Sequence, residues 1–186
     1  MMIALAALLA AAPLTLEADP AHSSAGFSVK HMMVTTVRGD FGKVTGTVDF
    51  QPNDPTRSQA NVKIDATSID TRNEKRDGHL KSPDFFDVQK CPEITFKSNR
   101  IEKAGGDKRF KVTGDLTMHC VTKPVTLEVE GPNGPIKHPS GANVYALSAT
   151  GKLNRKDFGL TWNKTLESGG VMVGDEVNLT VDMEMT

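Results

Sequence analysis

The sequence lacks an excess of charge of either sign and lacks the spacing of a metal or catalytic centre. The 22 Lys and Arg residues nearly balance the 23 Asp and Glu residues, which leaves a formal net charge of −1 over 186 residues. That balance gives no case for nucleic acid or acidic membranes as partners. The five histidines lack the close spacing of a zinc site, and no phosphate loop or nucleophile elbow appears. The sequence therefore predicts no metal, no cofactor and no enzyme.

The sequence also lacks an apolar run long enough to span a bilayer. Residues 3–12 are mostly Ala and Leu and have the length of the apolar region of a signal peptide. No Lys or Arg precedes Lys30, so the usual basic start is missing, and a buried N-terminal strand is the alternative. We expect 1–12 to be a signal peptide with an uncertain cleavage site and 13–186 to be one domain, periplasmic or secreted.

Helical periodicity is scarce, whereas alternation with a period of two recurs along the chain. Apolar residues occupy odd positions from Ala25 to Phe41 and even positions beyond Gly42. A switch of parity at a glycine indicates a bulge or a sharp bend. About eight antiparallel strands allow a sandwich or a barrel, and the bend favours an all-β, eight-stranded antiparallel barrel. Residues 131–141, which contain three prolines, are predicted to be a loop.

Cysteine is rare, and only Cys91 and Cys120 are present. The pair is compatible with free thiols or with one disulfide in an oxidising compartment. The strands that carry them are expected to form a hairpin, in which alternation places the two thiols on opposite faces. A bulge at Pro92 would bring them together. The sequence does not decide whether the disulfide forms, although the alternation argues against it.

One segment, residues 70–88, interrupts the β pattern. Thr71 and Glu74 have the spacing of a capping box, and Ser82 before Pro83 is typical of a second helix start. We expect two short helical turns that cap one end of the barrel as a helical insertion.

Charged residues in this segment raise the question of catalysis. On a helix, Arg76 lies beside His79 while Asp77 faces away. A cation next to the imidazole suits anion binding better than base catalysis. The alternative is a structural cap whose Arg and Asp satisfy main-chain groups at the strand ends. Leu80, Phe85 and Phe86 are expected to pack inward.

The chain contains a series of ordered motifs spread over most of its length. They are His22-Ser23, Phe27-Ser28-Val29-Lys30-His31, Val37-Arg38-Gly39-Asp40-Phe41, Ser68-Ile69-Asp70-Thr71, Arg76-Asp77-Gly78-His79-Leu80-Lys81-Ser82, Asp84-Phe85-Phe86-Asp87-Val88, Pro92-Glu93-Ile94-Thr95-Phe96, Gly114-Asp115-Leu116-Thr117 and Asn154-Arg155-Lys156-Asp157-Phe158-Gly159-Leu160. This series resembles the YceI family of bacterial periplasmic or secreted proteins. The resemblance extends from Leu14 to the C-terminus and implies a lipocalin-like barrel that holds a polyisoprenoid or a fatty amide.

Inward positions mix bulky and small residues, so a barrel of this size has room for one small ligand unless neighbouring side chains fill it. The predicted apolar lining is Phe27, Val29, Phe41, Val48, Phe50, Phe96, Leu116, Leu127, Leu147 and Val181. The predicted polar mouth, which would orient a head group, is Arg38, Arg76, His79 and Arg155.

These features favour a non-enzymatic protein that carries or sequesters a long-chain amphiphile. Two alternatives stay open. One is an enzyme that acts on such a lipid with His79 or His31 as general base. The other is a stress-response interaction protein whose barrel is filled by its own side chains. The oligomeric state is also open, and a homodimer is one option.

Overall fold

The protein folds into one curled antiparallel sheet with a short helical insertion. The computed structural model describes residues 12–167 and 169–186, so the predicted signal peptide lies almost entirely outside the described residues. The helix α1 spans Glu74–Lys81, and single 3₁₀ turns occupy Pro55–Arg57, Ala66–Ser68 and Arg155–Phe158. The strands are β1 Leu14–Glu17, β2 Ser24–His31, β3 Thr35–Phe41, β4 Val44–Phe50, β5 Gln59–Asp65, β6 Ile69–Asp70, β7 Glu93–Lys103, β8 Arg109–Met118, β9 Val121–Lys137, β10 Asn143–Asn154 and β11 Val173–Met185.

The sheet curls until β1, at one edge of the strand order, reaches β11. Its strand order is β1-β4-β5-β7-β8-β9-β10-β11-β2-β3-β6. The end of β1 reaches the end of β11, where Glu17 and Thr186 exchange two main-chain hydrogen bonds of 2.8 and 3.0 Å. Asp19 also donates its N–H to the carbonyl of Glu184 at 2.8 Å. These bonds close the barrel at this end, which we call the β1 end.

The all-β class is confirmed, but the predicted count of eight strands differs from the eleven observed. Two of the eleven strands, β1 and β6, are short pieces of four and two residues. Another arises at Gly42, where the chain changes partners. β3 pairs with β2 and β6, whereas β4 pairs with β1 and β5. The predicted bend at this glycine therefore becomes a break between two strands.

The prediction of a loop over 131–141 was wrong for 131–137, because β9 continues to Lys137, and right for 138–141, which form the turn before β10. Its pairing with β10 shifts register on either side of Ala146, at the level of the two prolines. Proline has no N–H to give to a ladder and is tolerated where a bulge leaves a residue unpaired. Pro132 and Pro135 therefore bend the strand without ending it.

The helical insertion contains one helix rather than two. Asn73, not Thr71, caps α1, since its side chain accepts the N–H of Arg76 at 2.9 Å. The residues that follow α1 form turns, in which Ser82 Oγ donates to the carbonyl of His79 at 2.7 Å. The capping-box prediction and the second helix start were therefore both wrong.

A disulfide joins Cys91 to Cys120, with 5.5 Å between the Cα atoms. The alternation argument against this bond was wrong, because neither cysteine lies inside a strand. Cys91 precedes β7, and Cys120 is the second residue of the β8–β9 turn, where its φ is +57°. Period-two alternation does not hold in turns, so it could not orient these thiols.

The interior has two apolar clusters, one toward each end of the barrel. The larger lies at the end covered by α1, which we call the α1 end, and includes Phe41, Phe86 and Phe158. The smaller lies at the β1 end and includes Leu16, Tyr145 and Met185. No helix among the described residues is long and apolar enough to cross a membrane.

Candidate functional site

An apolar cavity of about 250 Å³ lies inside the barrel. Its wall contains residues of both clusters, from Phe86 and Leu160 at the α1 end to Val48 and Met183 at the β1 end. Polar side chains are few in this wall. A long apolar cavity is the arrangement that β-barrels use to hold one small ligand.

All ten residues of the predicted apolar lining lie along this cavity, namely Phe27, Val29, Phe41, Val48, Phe50, Phe96, Leu116, Leu127, Leu147 and Val181. The reason is the strict alternation of side chains along each strand, which assigns every second residue to the interior. The structure shows where these residues lie. That they bind a ligand stays a prediction.

Other parts of the wall were not predicted. Phe110 and Val112 share the even parity of Leu116 on β8, so the alternation in the sequence contained that signal. Leu160 follows a 3₁₀ turn and packs into the larger cluster. It lies outside any strand, so no periodicity in the sequence indicated its position.

Aromatic side chains close the α1 end. Leu80, Phe85 and Phe86 line the cavity there, as expected for the cap. Phe86 packs edge-on against Phe41, with ring centroids 5.6 Å apart. This end is therefore closed by apolar contacts with the insertion.

His79 belongs to this aromatic contact rather than to a polar mouth. Its ring packs edge-on against Phe85 and Trp162, at centroid distances of 5.1 and 4.8 Å. Its Nε2 lies 2.9 Å from Asp84 Oδ2, and about 40% of its side chain is exposed. His79 is not among the residues that line the cavity. These contacts fit a residue that joins α1 to the segment around Trp162.

Arg76 does not face a mouth either, because Thr71 holds it. Its Nε donates to Thr71 Oγ1 and one Nη to the carbonyl of Thr71, both at 2.7 Å. Asp77 Oδ1 accepts the N–H of Thr71 at 2.9 Å and its hydroxyl. Thr71 is only 4% exposed. The two charged residues therefore fix the start of the insertion, as the structural alternative proposed.

Arg155 is buried and is the one predicted mouth residue that reaches the cavity wall. Its Nε donates to the carbonyl of Gly174 at 2.9 Å, and Nη1 donates to the carbonyls of Leu160 and Trp162. Nη2 lies 3.4 Å from the carbonyl of Val173. Arginine presents five donors in a planar fork, so one side chain can hold several carbonyls. Arg155 thereby ties the chain after the 3₁₀ turn to the start of β11.

Electrostatics around Arg155 agree with this structural role. Burial lowers the pKa of its guanidinium, and the nearby Asp175 carboxylate partly opposes the shift. Asp175 Oδ1 lies 3.6 Å from Arg155 Nη2, while Oδ2 is 2.8 Å from Lys156 Nζ. Asp175 therefore pairs with both cations at this end of the barrel.

Arg38 is exposed on the outer face of β3, opposite Ser28 of β2. Its even position directs it away from the interior, while its neighbours Val37 and Gly39 have the inward parity. The structure therefore does not gather Arg38, Arg76, His79 and Arg155 around one opening.

A different polar group comes together at the β1 end. His22 Nδ1 lies 2.9 Å from Asp19 Oδ2 and 3.8 Å from Glu184 Oε1. The hydrogen bond between the two side chains lowers the pKa of Asp19 and raises the pKa of His22. Ser23 adds hydrogen bonds of 3.2 Å to both main-chain groups of Glu184. This group fastens the β1–β2 turn to β11.

Fold and cavity together define an antiparallel β-barrel protein with an apolar interior site. A family model described as the YceI-like domain matches residues 16–185, and the chain therefore belongs to the YceI family. Among curated relatives, UPF0312 protein SAS2572 of Staphylococcus aureus (strain MSSA476) is 39% identical over 169 residues, which are 90% of this chain and 95% of that protein.

Solved structures show the same fold. Burkholderia cenocepacia BcnA is 25% identical with a TM-score of 0.77, over 91% of this chain and 99% of that chain. The Campylobacter jejuni YCEI protein is 31% identical with a TM-score of 0.69, over 83% and 87%. A polyisoprenoid binding domain from Saccharophagus degradans is 15% identical with a TM-score of 0.63, over 91% and 97%, and at that identity shows the fold alone.

Proposed function

We propose that the protein binds a long-chain amphiphile, such as a polyisoprenoid, and that the apolar tail of this ligand lies inside the barrel. We propose also that the protein carries or sequesters the ligand without catalysis. The observation that carries the proposal is the apolar cavity that reaches from one core cluster to the other. An unbranched or prenyl chain gains about 0.8 kcal/mol for each CH₂ group that it buries. A long chain therefore gains affinity from burial, with few specific contacts.

One solved structure with this fold supports the same choice of ligand. The Saccharophagus degradans domain, which shares the fold, is described as polyisoprenoid binding. In this chain the cavity wall contains Arg155, whose Nη2 has longer contacts than its other nitrogens. We propose that the polar head group of the ligand lies at the α1 end and meets this nitrogen.

Neither histidine of the alternative function is part of the cavity wall. His79 packs between Phe85 and Trp162 and is not part of the cavity wall. His31 pairs with Thr35 and Val173 where β2 ends. We therefore propose a binding protein. His79→Ala should leave ligand uptake intact. If the wild type turned over a prenyl lipid and His79→Ala abolished this turnover, the protein would be an enzyme instead.

We also propose that the protein acts outside the cytoplasm. The disulfide between Cys91 and Cys120 suits an oxidising compartment. The apolar run over residues 3–12 fits an export signal. Fractionation of cells that express the full chain tests this, since recovery of the protein only with the cytoplasm would contradict it.

A blocked cavity provides the direct test of ligand binding. Ala149 lines the cavity and is 5% exposed, whereas the next residue, Thr150, is exposed on the outer face of β10. Ala149→Phe places a ring in the ligand's space, and Thr150→Phe adds the same ring outside. We expect uptake of a long-chain polyprenol to be lost in Ala149→Phe and kept in Thr150→Phe. Equal uptake by both variants would contradict a ligand inside the barrel.

A further inference from the structure

The β2–β3 turn presents an apolar surface to solvent. Met32, Met33 and Val34 are 44%, 59% and 80% exposed, and we call these three residues the β2–β3 tip. They are three of the four large apolar side chains that are exposed in the described part of the chain. The fourth, Ile136, lies alone near the end of β9. Contiguous exposed apolar residues are typical of a surface that binds another molecule.

The backbone of this turn is unfavourable for methionine. Met32 and Met33 both have positive φ, +51° and +61°, and Val34 donates its N–H to the carbonyl of His31 at 3.1 Å. Two central residues with positive φ make a type I′ turn, which strongly favours Asn-Gly. Side chains with a Cβ are strained in that conformation, so Met-Met is a poor choice for the turn itself.

Among the described residues, the β8–β9 turn also has two consecutive residues other than glycine with positive φ, and there each residue has a local contact that explains it. In the β8–β9 turn, His119 and Cys120 have φ of +52° and +57°. Cys120 forms the disulfide, and His119 Nδ1 lies 3.0 Å from the carbonyl of Phe158. The side chains of Met32 and Met33 instead extend into solvent. Exposure and strain therefore both indicate that the β2–β3 tip has a task outside the fold.

The tip continues the wall of the cavity. Val29 of β2 and Val173 of β11 line the cavity, and Val173 is paired with His31 next to the tip. Met32 donates its N–H to the carbonyl of Met172 at 2.7 Å. Because Arg155 binds the carbonyl of Val173 and α1 contacts the adjoining segment through His79 and Trp162, the tip lies at the α1 end.

Cations lie on the segments that carry or adjoin the tip. Lys30 is exposed near the end of β2, and Arg38 is exposed further along β3, where it pairs with Ser28. Lys164 is also exposed, and its carbonyl accepts the N–H of Met172 at 2.9 Å. Glu167 is an exposed carboxylate in the same segment. An apolar tip among basic residues matches a bilayer surface, where apolar side chains enter the acyl boundary and Lys or Arg meet anionic head groups. The formal net charge of −1 describes the whole chain and gives no information on how charges are distributed near the tip.

We propose that the β2–β3 tip inserts into the surface of a lipid bilayer that contains anionic lipid, with the α1 end of the barrel facing the membrane. The proposal rests on the proposed function, because this orientation brings the cavity beside the bilayer from which an amphiphile would enter. Burial of exposed apolar side chains supplies the affinity, and Lys30, Arg38 and Lys164 orient the barrel.

The test is flotation of the full chain with vesicles of phosphatidylethanolamine and phosphatidylglycerol. The wild type should float with the vesicles, and binding should weaken as salt is raised. The double variant Met32→Asn, Met33→Gly removes two apolar side chains and installs the residues that the turn prefers. We expect its partition to fall about tenfold or more while its melting temperature stays equal or rises. Ile136→Ser removes the other exposed apolar side chain and should bind like the wild type.

Two further measurements separate the outcomes. Val34→Ser tests the tip without altering the two strained residues, so equal vesicle binding by wild type, Val34→Ser and the double variant would overturn the proposal. Sedimentation that shows wild-type dimers, a monomeric double variant and no vesicle binding would assign the tip to a second copy of the chain instead.

A failure of ligand binding would give a different result from a failure of membrane binding. Polyprenol uptake from detergent does not need a membrane, so the double variant should still take up the lipid. A wild type that binds vesicles but takes up no polyprenol would refute the ligand, not the membrane surface.

Discussion

Reduction of the disulfide between Cys91 and Cys120 should destabilise the protein by a predictable amount. The two cysteines are separated by 29 positions in the sequence. Closing a loop of that length removes unfolded-chain entropy worth about 3.6 kcal/mol at 25 °C. In a domain of this size that corresponds to a fall of about 7–14 °C in Tm.

The effect should be largest at the α1 end of the barrel. Cys91 ends the turns that contain Phe85 and Phe86, and its N–H donates to the carbonyl of Asp87 at 2.8 Å. The disulfide ties these turns to the β8–β9 turn at Cys120. Without the bond, the two aromatic residues that close the cavity lose a covalent support, so hydrogen exchange should rise first over residues 82–91.

Thermal unfolding followed by circular dichroism, with and without a phosphine reductant, measures the loss. The double variant Cys91→Ala, Cys120→Ala should melt like the reduced wild type and should not respond to the reductant. Equal melting temperatures for the oxidised and reduced wild type would refute the entropic argument. Free thiols in protein isolated from an oxidising compartment would refute the bond itself.

Three other contacts yield predictions. Arg155→Ala leaves several carbonyls unpaired in the interior and should cost about 3–5 kcal/mol of unfolding free energy in urea, whereas the exposed Arg38→Ala should change it by about 0.5 kcal/mol or less. Thr71→Val keeps the shape but removes the hydroxyl that binds Arg76, and should cost about 1–3 kcal/mol. His22→Gln should lower Tm more at about pH 5.5 than at about pH 8.5. Because the pKa of His22 is raised in the folded protein, the stabilisation that His22 provides is complete below the ordinary pKa of histidine. This stabilisation is lost as the pH rises through the raised pKa.

Each of these has a result that would contradict it. If Arg155→Ala and Arg38→Ala were equally stable, the carbonyl contacts of Arg155 would not matter. Wild-type stability in Thr71→Val would mean that the start of the insertion is held by other contacts. A pH-independent effect of His22→Gln would show that its pairing with Asp19 does not depend on the charge of the imidazole. The lowered pKa of Asp19 keeps that carboxylate charged at both pH values.

The walls of the cavity were predictable because alternation is a property of each strand by itself. Phe27 on β2 and Leu127 on β9 needed only the parity of their neighbours to be placed inside. The break at Gly42 was also visible, since a change of parity has a local cause. What alternation could not show was the change of strand partners there, which depends on contacts with β1 and β6.

The polar residues were less predictable because their partners are distant in sequence or lie in turns. The tie between Arg155 and Gly174 spans 19 positions, and the disulfide joins two turns in which strand parity has no meaning. At the insertion, the spacing of Thr71 and Glu74 suited a capping box. Asn73 caps α1 instead, because Thr71 is buried under Arg76 and Asp77.

Native mass spectrometry of the purified full chain tests the central claim most directly. We predict that freshly isolated protein contains one bound amphiphile per chain. We also predict that organic extraction removes it and that an added long-chain polyprenol restores a one-to-one complex. A protein that carries no amphiphile when isolated and takes up no polyprenol after extraction would contradict the account.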